Sequence, residues 1–348
     1  MTSQGCFGSG SFAVAAALAL ATVAPSSYGA PMLTQGADGY TWSTITHAGN
    51  RSSLPSEAMW NPVFSRGGVA YEYRMATTEV SASQWIDFMR AYAPYVGSEH
   101  QFGTFMAGPI RFAGFNTQGV PQYTIAPGYE NVAVSVGWRY AARYCNWLHN
   151  DRALTREAFD NGAYDASTFS TNPDGTFNDQ LTHNADARYW MPTLDEWVKA
   201  VHYDPDRYGP GQEGYWMFPY AQGEPLISGY PGEPGAQTSS GIVDLYGRID
   251  IGAYPDSTGV WGLLDTSGGL PEWTETVLGV PRFREVRGSG AGGGELAWMG
   301  EVLDADSIAT PDLTVGLRLA SAVPAPSAVF LASLVVLTHA ARRRRTVL

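Results

Sequence analysis

Glycine and proline constrain the fold of this chain more than any other feature. The 348 residues include 40 glycines and 22 prolines, and both residue types interrupt regular elements and favour turns. The hydrophobic fraction is 44%, with 11 tryptophans and 19 tyrosines, which is ample for a packed core. We therefore expect an α+β domain of short elements joined by turns, and neither a helical bundle nor a disordered chain.

Three segments predict a strand followed by a helix. In the first, "YEYRMATTEVSASQWIDFMRAY", Tyr71, Tyr73 and Met75 alternate as in a half-buried strand. Ser81 or Ser83 then caps a helix that carries apolar residues at helical spacing.

The second and third segments follow the same plan. Valines alternate over 132–136, and an amphipathic helix is predicted over 138–148. In "ARYWMPTLDEWVKA", Thr193 and Glu196 form a capping box at the start of a helix. That structural role explains Glu196, so no catalytic role is assigned to it.

The two ends carry candidate targeting signals. Residues 1–30 contain the apolar run "SFAVAAALALATVA", typical of a secretory signal peptide, although no basic residue precedes the run. Residues 323–348 contain "VPAPSAVFLASLVVLTHAARRRR", a break, an apolar run and four arginines. This tail resembles the PEP-CTERM sorting signal, with Ala325 where the short motif carries Glu. The alternative is a plain tail anchor, with a run shorter than the ~20 residues of a usual spanning helix.

The resemblance of the tail implies export to the cell surface or extracellular matrix of a Gram-negative bacterium. Exosortase-type sorting machinery would be a partner, and the chain would be anchored transiently in the inner membrane. We expect membrane contact only through this segment. The net charge of −12 argues against nucleic acid as a partner, because phosphate binding needs clustered cations.

Six segments between Tyr71 and Ala320 resemble, in order and spacing, the formylglycine-generating enzyme family, also called sulfatase-modifying factors. They are "EVSASQWIDFM", "NVAVSVGWRYAARYCNWL", "ARYWMPTLDEWVKA", "GVWGLLDTSGGLPEWTE", "REVRGSG" and "VGLRLA". The resemblance implies an irregular C-type-lectin-like fold, low in regular secondary structure. We place this domain at residues 40–322.

Members of that family that generate formylglycine oxidise a sulfatase cysteine with two cysteines that hold copper. The corresponding stretch here, Arg287 to Ala320, contains no cysteine. Cys6 would leave with the signal peptide, and Cys145 is expected to be a buried residue of the second helix. We therefore expect no copper, no catalytic residues and no cofactor-binding residues. This favours a protein that is not an enzyme.

The segment "GGLPEW" is the candidate metal site. The resemblance implies calcium held by the carbonyls of Gly268 and Leu270 and by the carboxylate of Glu272, since calcium accepts many oxygen ligands. Gly269 stands where the family has Asn, and Pro271 replaces an aromatic position. The alternative is that Glu272 accepts hydrogen bonds from loop amides.

These observations favour an exported, surface-associated binding or structural module for a carbohydrate or protein ligand. Aromatic residues in "YWMFPY", from Tyr215 to Tyr220, are candidates for stacking on sugars, although burial explains most of them better. An alternative is an oxidoreductase of the same superfamily with a rebuilt non-haem metal site. The histidines available to it are His47, His100, His149, His183 and His202. A third interpretation is a subunit that supports a partner enzyme.

Overall fold

The computed structural model describes residues 30–59, 65–245, 247–292, 299–303 and 307–324. Nearly all of the predicted signal peptide and of the predicted sorting tail lies outside these residues. Within them, no helix has both the length and the apolar character needed to cross a membrane.

The helices of the described residues are short, and two begin with capping boxes. Ser81 accepts from the backbone of Gln84, and Thr193 accepts from the backbone of Glu196. The second box is the one predicted from the sequence, and of the two serines proposed for the first helix, Ser81 is the cap. The α-helices are α1 (Ala82–Tyr92), α2 (Gly103–Met106), α3 (Trp138–His149), α4 (Arg156–Asp160) and α5 (Leu194–His202).

The strands of the described residues are two to six residues long, as the density of glycine and proline suggests. They are β1 (Leu33–Gln35), β2 (Thr41–Ile45), β3 (Tyr73–Ala76), β4 (Ile110–Phe115), β5 (Pro121–Ile125), β6 (Ser135–Gly137), β7 (Tyr189–Trp190), β8 (Tyr203–Asp204), β9 (Gly214–Tyr215), β10 (Glu272–Val277), β11 (Arg284–Arg287), β12 (Ile308–Ala309), β13 (Thr314–Gly316) and β14 (Ala320–Ala322).

These strands form two five-stranded sheets and two hairpins. The first sheet has the order β1-β2-β3-β14-β7, and its pairs are antiparallel. The second has the order β12-β11-β10-β13-β6, in which β10 and β13 are parallel. Met75 lies opposite Ala320, and Glu272 lies opposite Gly316. The segment 314–322 therefore crosses from the second sheet to the first, and Arg318 lies in the middle of it.

Aromatic rings fill the core around α1 and α3. Trp85, Phe88 and Tyr144 are each 1% exposed or less, and the Phe88 and Tyr144 rings meet edge to face with centroids 5.4 Å apart. Such pairs stabilise by ~1 kcal/mol beyond the area they bury. The predicted α+β class with modest regular structure is confirmed, as are the three strand–helix units.

Candidate functional site

The predicted metal loop turns tightly just before β10 and contacts the buried carboxyl of Glu79. Gly268 and Gly269 have φ angles of 82° and 53°, a conformation that L side chains rarely adopt. The amide of Leu270 donates to Glu79 Oε1 over 3.1 Å. A Cβ on Gly269 would lie 2.7 Å from Glu79 Oε2. The two glycines thus allow the backbone to approach the carboxyl of Glu79.

Glu272 is fully buried, and its carboxylate is held by two side chains. Arg318 Nη2 and Nε donate to Oε1 over 2.7 and 2.9 Å, and Nε also lies 3.0 Å from Oε2. Trp197 Nε1, from α5, donates to Oε2 over 2.7 Å. Three N–H groups therefore face the carboxylate, with the Nε–H of Arg318 shared between its two oxygens, so both oxygens are engaged.

Arg318 uses the rest of its guanidinium to join three parts of the chain. Nη1 donates to the carbonyl of Ala76 over 3.0 Å, and Nη2 donates to the carbonyl of Leu264 over 2.8 Å. The Arg318–Glu272 pair therefore connects β3, the loop that contains Leu264, and β10.

As placed, these residues do not fit a calcium ion. Both oxygens of the Glu272 carboxylate already accept hydrogen bonds from Arg318 or Trp197, and a cation would have to approach beside the Arg318 guanidinium. Among the residues that the structure describes, no group of three or more His, Cys, Asp or Glu side chains is positioned to hold a metal. Calcium at Gly268, Leu270 and Glu272 stays a prediction, and binding there would require Arg318 to move.

Two further carboxyls, those of Glu79 and Asp265, lie near the pair, and neither was predicted from the sequence. Burial, together with the charges of Glu272 and Asp265, holds the pKa of Glu79 well above its usual value. Burial raises the pKa of Asp265 to about 6. An isolated acid in an apolar segment such as "LLDTSGG" was the available signal of a buried carboxyl. The sequence does not show which distant cation faces that carboxyl.

A hydroxyl and a carboxyl pair within Arg287 to Ala320, the stretch where the resemblance predicts copper-binding thiols. Ser289 Oγ donates to Glu301 Oε2 over 2.9 Å and accepts from the amide of Gly268 over 2.9 Å. Ser289 is 2% exposed and Glu301 is fully buried, and burial raises the pKa of Glu301 to about 7. These oxygen groups do not fit copper(I), which needs soft thiolate ligands.

Cys145 lies on α3 and is fully buried. Burial raises the pKa of its thiol well above the usual range. Because the thiolate is the form that ligates metals and attacks substrates, Cys145 fits the structural role expected of it.

The histidines are dispersed. His183 Nδ1 lies 3.0 Å from Glu275 Oε2, and its ring stacks on Trp190 with centroids 4.5 Å apart. Hydrogen bonding and charge from Glu275 outweigh burial and raise the pKa of His183. His202, buried at the end of α5, contacts the carbonyl of Trp216 through Nδ1 instead. A rebuilt metal site from these residues stays a hypothesis.

The aromatic segment "YWMFPY" is mostly internal. Tyr215 and Phe218 are 1% and 0% exposed, and Tyr215 Oη donates to the carbonyl of Gly67 over 2.7 Å. The indole of Trp216 donates to Asp204 and is covered by the Arg207 guanidinium, 3.5 Å from the ring centroid. Tyr215 and Phe218 therefore present no ring face to a ligand.

A cleft of about 540 Å³, which the sequence did not indicate, opens beside α3. Its walls come from the end of α1, from the segment 99–104, from α3 and from the turn at Pro311 and Asp312. Such volumes are typical of small-molecule sites. The cleft is lined by Tyr92, Tyr95, Val96, Glu99, Phe102, Thr104, Gly137, Arg139, Tyr140, Arg143, Arg156, Phe169, Pro311 and Asp312.

The fold and the site together define a class of protein: an α+β domain of short strands in which a glutamate beside a tryptophan pairs with a buried arginine. Residues 65–322 match the model of the sulfatase-modifying factor enzyme 1-like domain, the FGE-sulfatase family. That match covers most of the chain, and the chain belongs to this family.

Comparison with solved structures finds similar chains at low sequence identity. The structure titled "Crystal Structure of CarF" is 15% identical, with 81% of this chain and 98% of that chain covered and a TM-score of 0.41. Treponema denticola variable protein 1 is 16% identical, with 84% and 100% covered and a TM-score of 0.44. No curated protein matches the sequence.

Proposed function

We propose that this protein is an exported, surface-associated member of the family in which the domain serves as a non-catalytic binding or structural module. The C-terminal segment would deliver it through exosortase-type machinery. The observation that carries the proposal is the buried Ser289–Glu301 pair, which occupies the stretch where the family resemblance places copper-binding thiols.

The remaining thiol supports the same conclusion. Cys145 is enclosed on α3 with a raised pKa, so it offers no thiolate to a metal or to a peptide substrate. Once Cys6 has left with the predicted signal peptide, Cys145 is the one cysteine in the sequence, so the mature chain has no second thiol to complete a copper-binding pair. Oxidation by the family's copper mechanism would therefore be absent.

An oxidation assay tests the proposal. The purified protein is incubated with copper, oxygen and a cysteine-containing sulfatase-type peptide, and the peptide mass is followed for conversion to the aldehyde. We expect no conversion, with Cys145→Ser behaving the same. Conversion by the wild-type protein would overturn the non-catalytic assignment, and its loss in Cys145→Ser or in His183→Ala would show which chemistry performs it.

A further inference from the structure

The cleft beside α3 combines exposed aromatic surface with planar polar groups. Phe102, at its rim, is 54% exposed. Tyr140 forms part of the wall, and its hydroxyl donates to Glu99. Glu99 and Phe102 are both solvent-accessible. Ring faces beside hydrogen-bonding groups suit a ligand with one apolar face and several hydroxyl groups.

Arg143, in the wall of the cleft, makes only long contacts to the rest of the protein. Its Nη1 and Nη2 reach the carbonyls of Arg139 and Ala166 only at 3.3 and 3.5 Å, and Nε lies 3.5 Å from Asp160. Charge-assisted hydrogen bonds usually measure ~2.8 Å. The guanidinium also lies 5.9 and 5.6 Å from the ring centroids of Tyr140 and Phe169. The two rings hold the Arg143 guanidinium in place, and its N–H groups can still form shorter hydrogen bonds.

Arg139, by contrast, is engaged. Its Nε donates to both oxygens of Asp179 over 2.9 and 3.1 Å, and Nη1 and Nη2 donate to Asp312 and to Thr171. Arg139 therefore anchors the wall of the cleft, whereas Arg143 has bonding capacity to spare.

The charges around the cleft are nearly balanced, which decides the class of ligand. Arg139, Arg143 and Arg156 are offset by Glu99 and Asp312 in the lining. Asp160 and Asp179, which are not part of the lining, pair with the same arginines. An anionic ligand would find no excess of positive charge, whereas a neutral polyol can accept from the arginine and donate to the carboxylate.

We propose that this cleft binds a neutral saccharide. Phe102 would contact the apolar face of a sugar ring, Arg143 would donate to ring hydroxyls, and Glu99 would accept from them. This inference rests on the proposed binding function and names its ligand class, and the domain could still bind a protein ligand if no saccharide entered the cleft.

Ligand-observed NMR on the full chain tests it, with saturation transfer to cellobiose, lactose and mannobiose as neutral probes and glucuronate as a charged one. We expect transfer to at least one neutral disaccharide and less to glucuronate. Phe102→Ala should weaken binding about fivefold, because ring contacts contribute at that level. Arg143→Gln should weaken it to a similar degree.

Matched controls exist for both variants. Phe115 is 56% exposed and lies on β4, outside the lining of the cleft, so Phe115→Ala should leave binding unchanged. Arg90, an exposed residue of α1, provides Arg90→Gln. Absence of transfer to every neutral probe, equal loss in the controls, or stronger binding of glucuronate would each overturn the saccharide assignment. None of these results bears on the oxidation assay, so the two proposals fail separately.

Discussion

Arg318 and Glu272 form a fully buried ion pair at the junction of the two sheets, with a shortest N–O distance of 2.7 Å. The parallel pairing of β10 with β13 sets Glu272 opposite Gly316, which brings the arginine two residues further on against the carboxylate. The glutamate that most resembles a metal ligand in the sequence therefore serves first to hold the domain together.

Removal of Arg318 should destabilise the protein strongly. Arg318→Met leaves Glu272 facing Glu79 and Asp265 without a cation, and we expect a loss of about 3–5 kcal/mol in the free energy of unfolding. Glu272→Gln should cost less, because Asp265 can still pair with the arginine and Glu79 can then ionise beside it. Urea denaturation measures both. Arg90→Met, at an exposed pair, is the control and should change stability by less than about 0.5 kcal/mol.

Asp265 should give stability a negative slope with pH. Its folded pKa, about 6, lies above the usual value of 3.8, so the folded state binds more protons between these values. The contribution is present below about pH 4 and is lost as pH rises to about 6, on the order of 3 kcal/mol in all. Asp265→Asn should remove this component from the difference in urea midpoints between pH 4 and 7. Parallel profiles for the variant and the wild type would contradict the assigned shift.

Gly269 should tolerate no side chain. Gly269→Ala combines a positive φ angle with a contact of 2.7 Å to the buried carboxyl of Glu79. Gly279 also has positive φ, at 66°, but a Cβ there meets no atom within 4 Å. Gly279→Ala should cost ~1 kcal/mol from the backbone alone, and Gly269→Ala should cost more. Equal losses in thermal unfolding would show that the loop does not press on Glu79.

Calcium should not shift the melting temperature of the wild-type protein, because Arg318 and Trp197 already donate to both oxygens of the Glu272 carboxylate and the Arg318 guanidinium repels a cation there. Melts with calcium and with chelator check this. A rise of several degrees in the melting temperature with calcium alone would support the calcium site predicted at Gly268, Leu270 and Glu272. It would mean that Arg318 leaves the carboxylate when the ion binds.

The sequence predicted the elements better than the interactions between them. The alternation at Tyr73 and Met75 and the capping box at Thr193 are local patterns, and both appear in the structure. The partner of Glu272 is 46 residues away, and no local pattern encodes that distance. An arginine inside the apolar run "VGLRLA" was the one available signal of a buried partner, since charged residues are rarely buried unless paired.

The cleft beside α3 was missed for a related reason. Its walls come from segments around Phe102, Arg143 and Pro311, each unremarkable in the sequence. Only the packing of α3 against the turn at Asp312 brings them around one space. The family's fold could be recognised from ordered motifs, whereas the shape of its surface depends on loops that carry no periodic pattern.

The most direct test of the non-catalytic binding module is the elemental content of the purified full chain after exposure to copper(I) and iron(II) and removal of unbound metal. The geometry predicts copper and iron far below one equivalent, because the described residues offer no accessible thiol and no cluster of three metal-ligating side chains. Stoichiometric copper or iron, retained through the removal step, would contradict this conclusion and make the chain a candidate oxidoreductase.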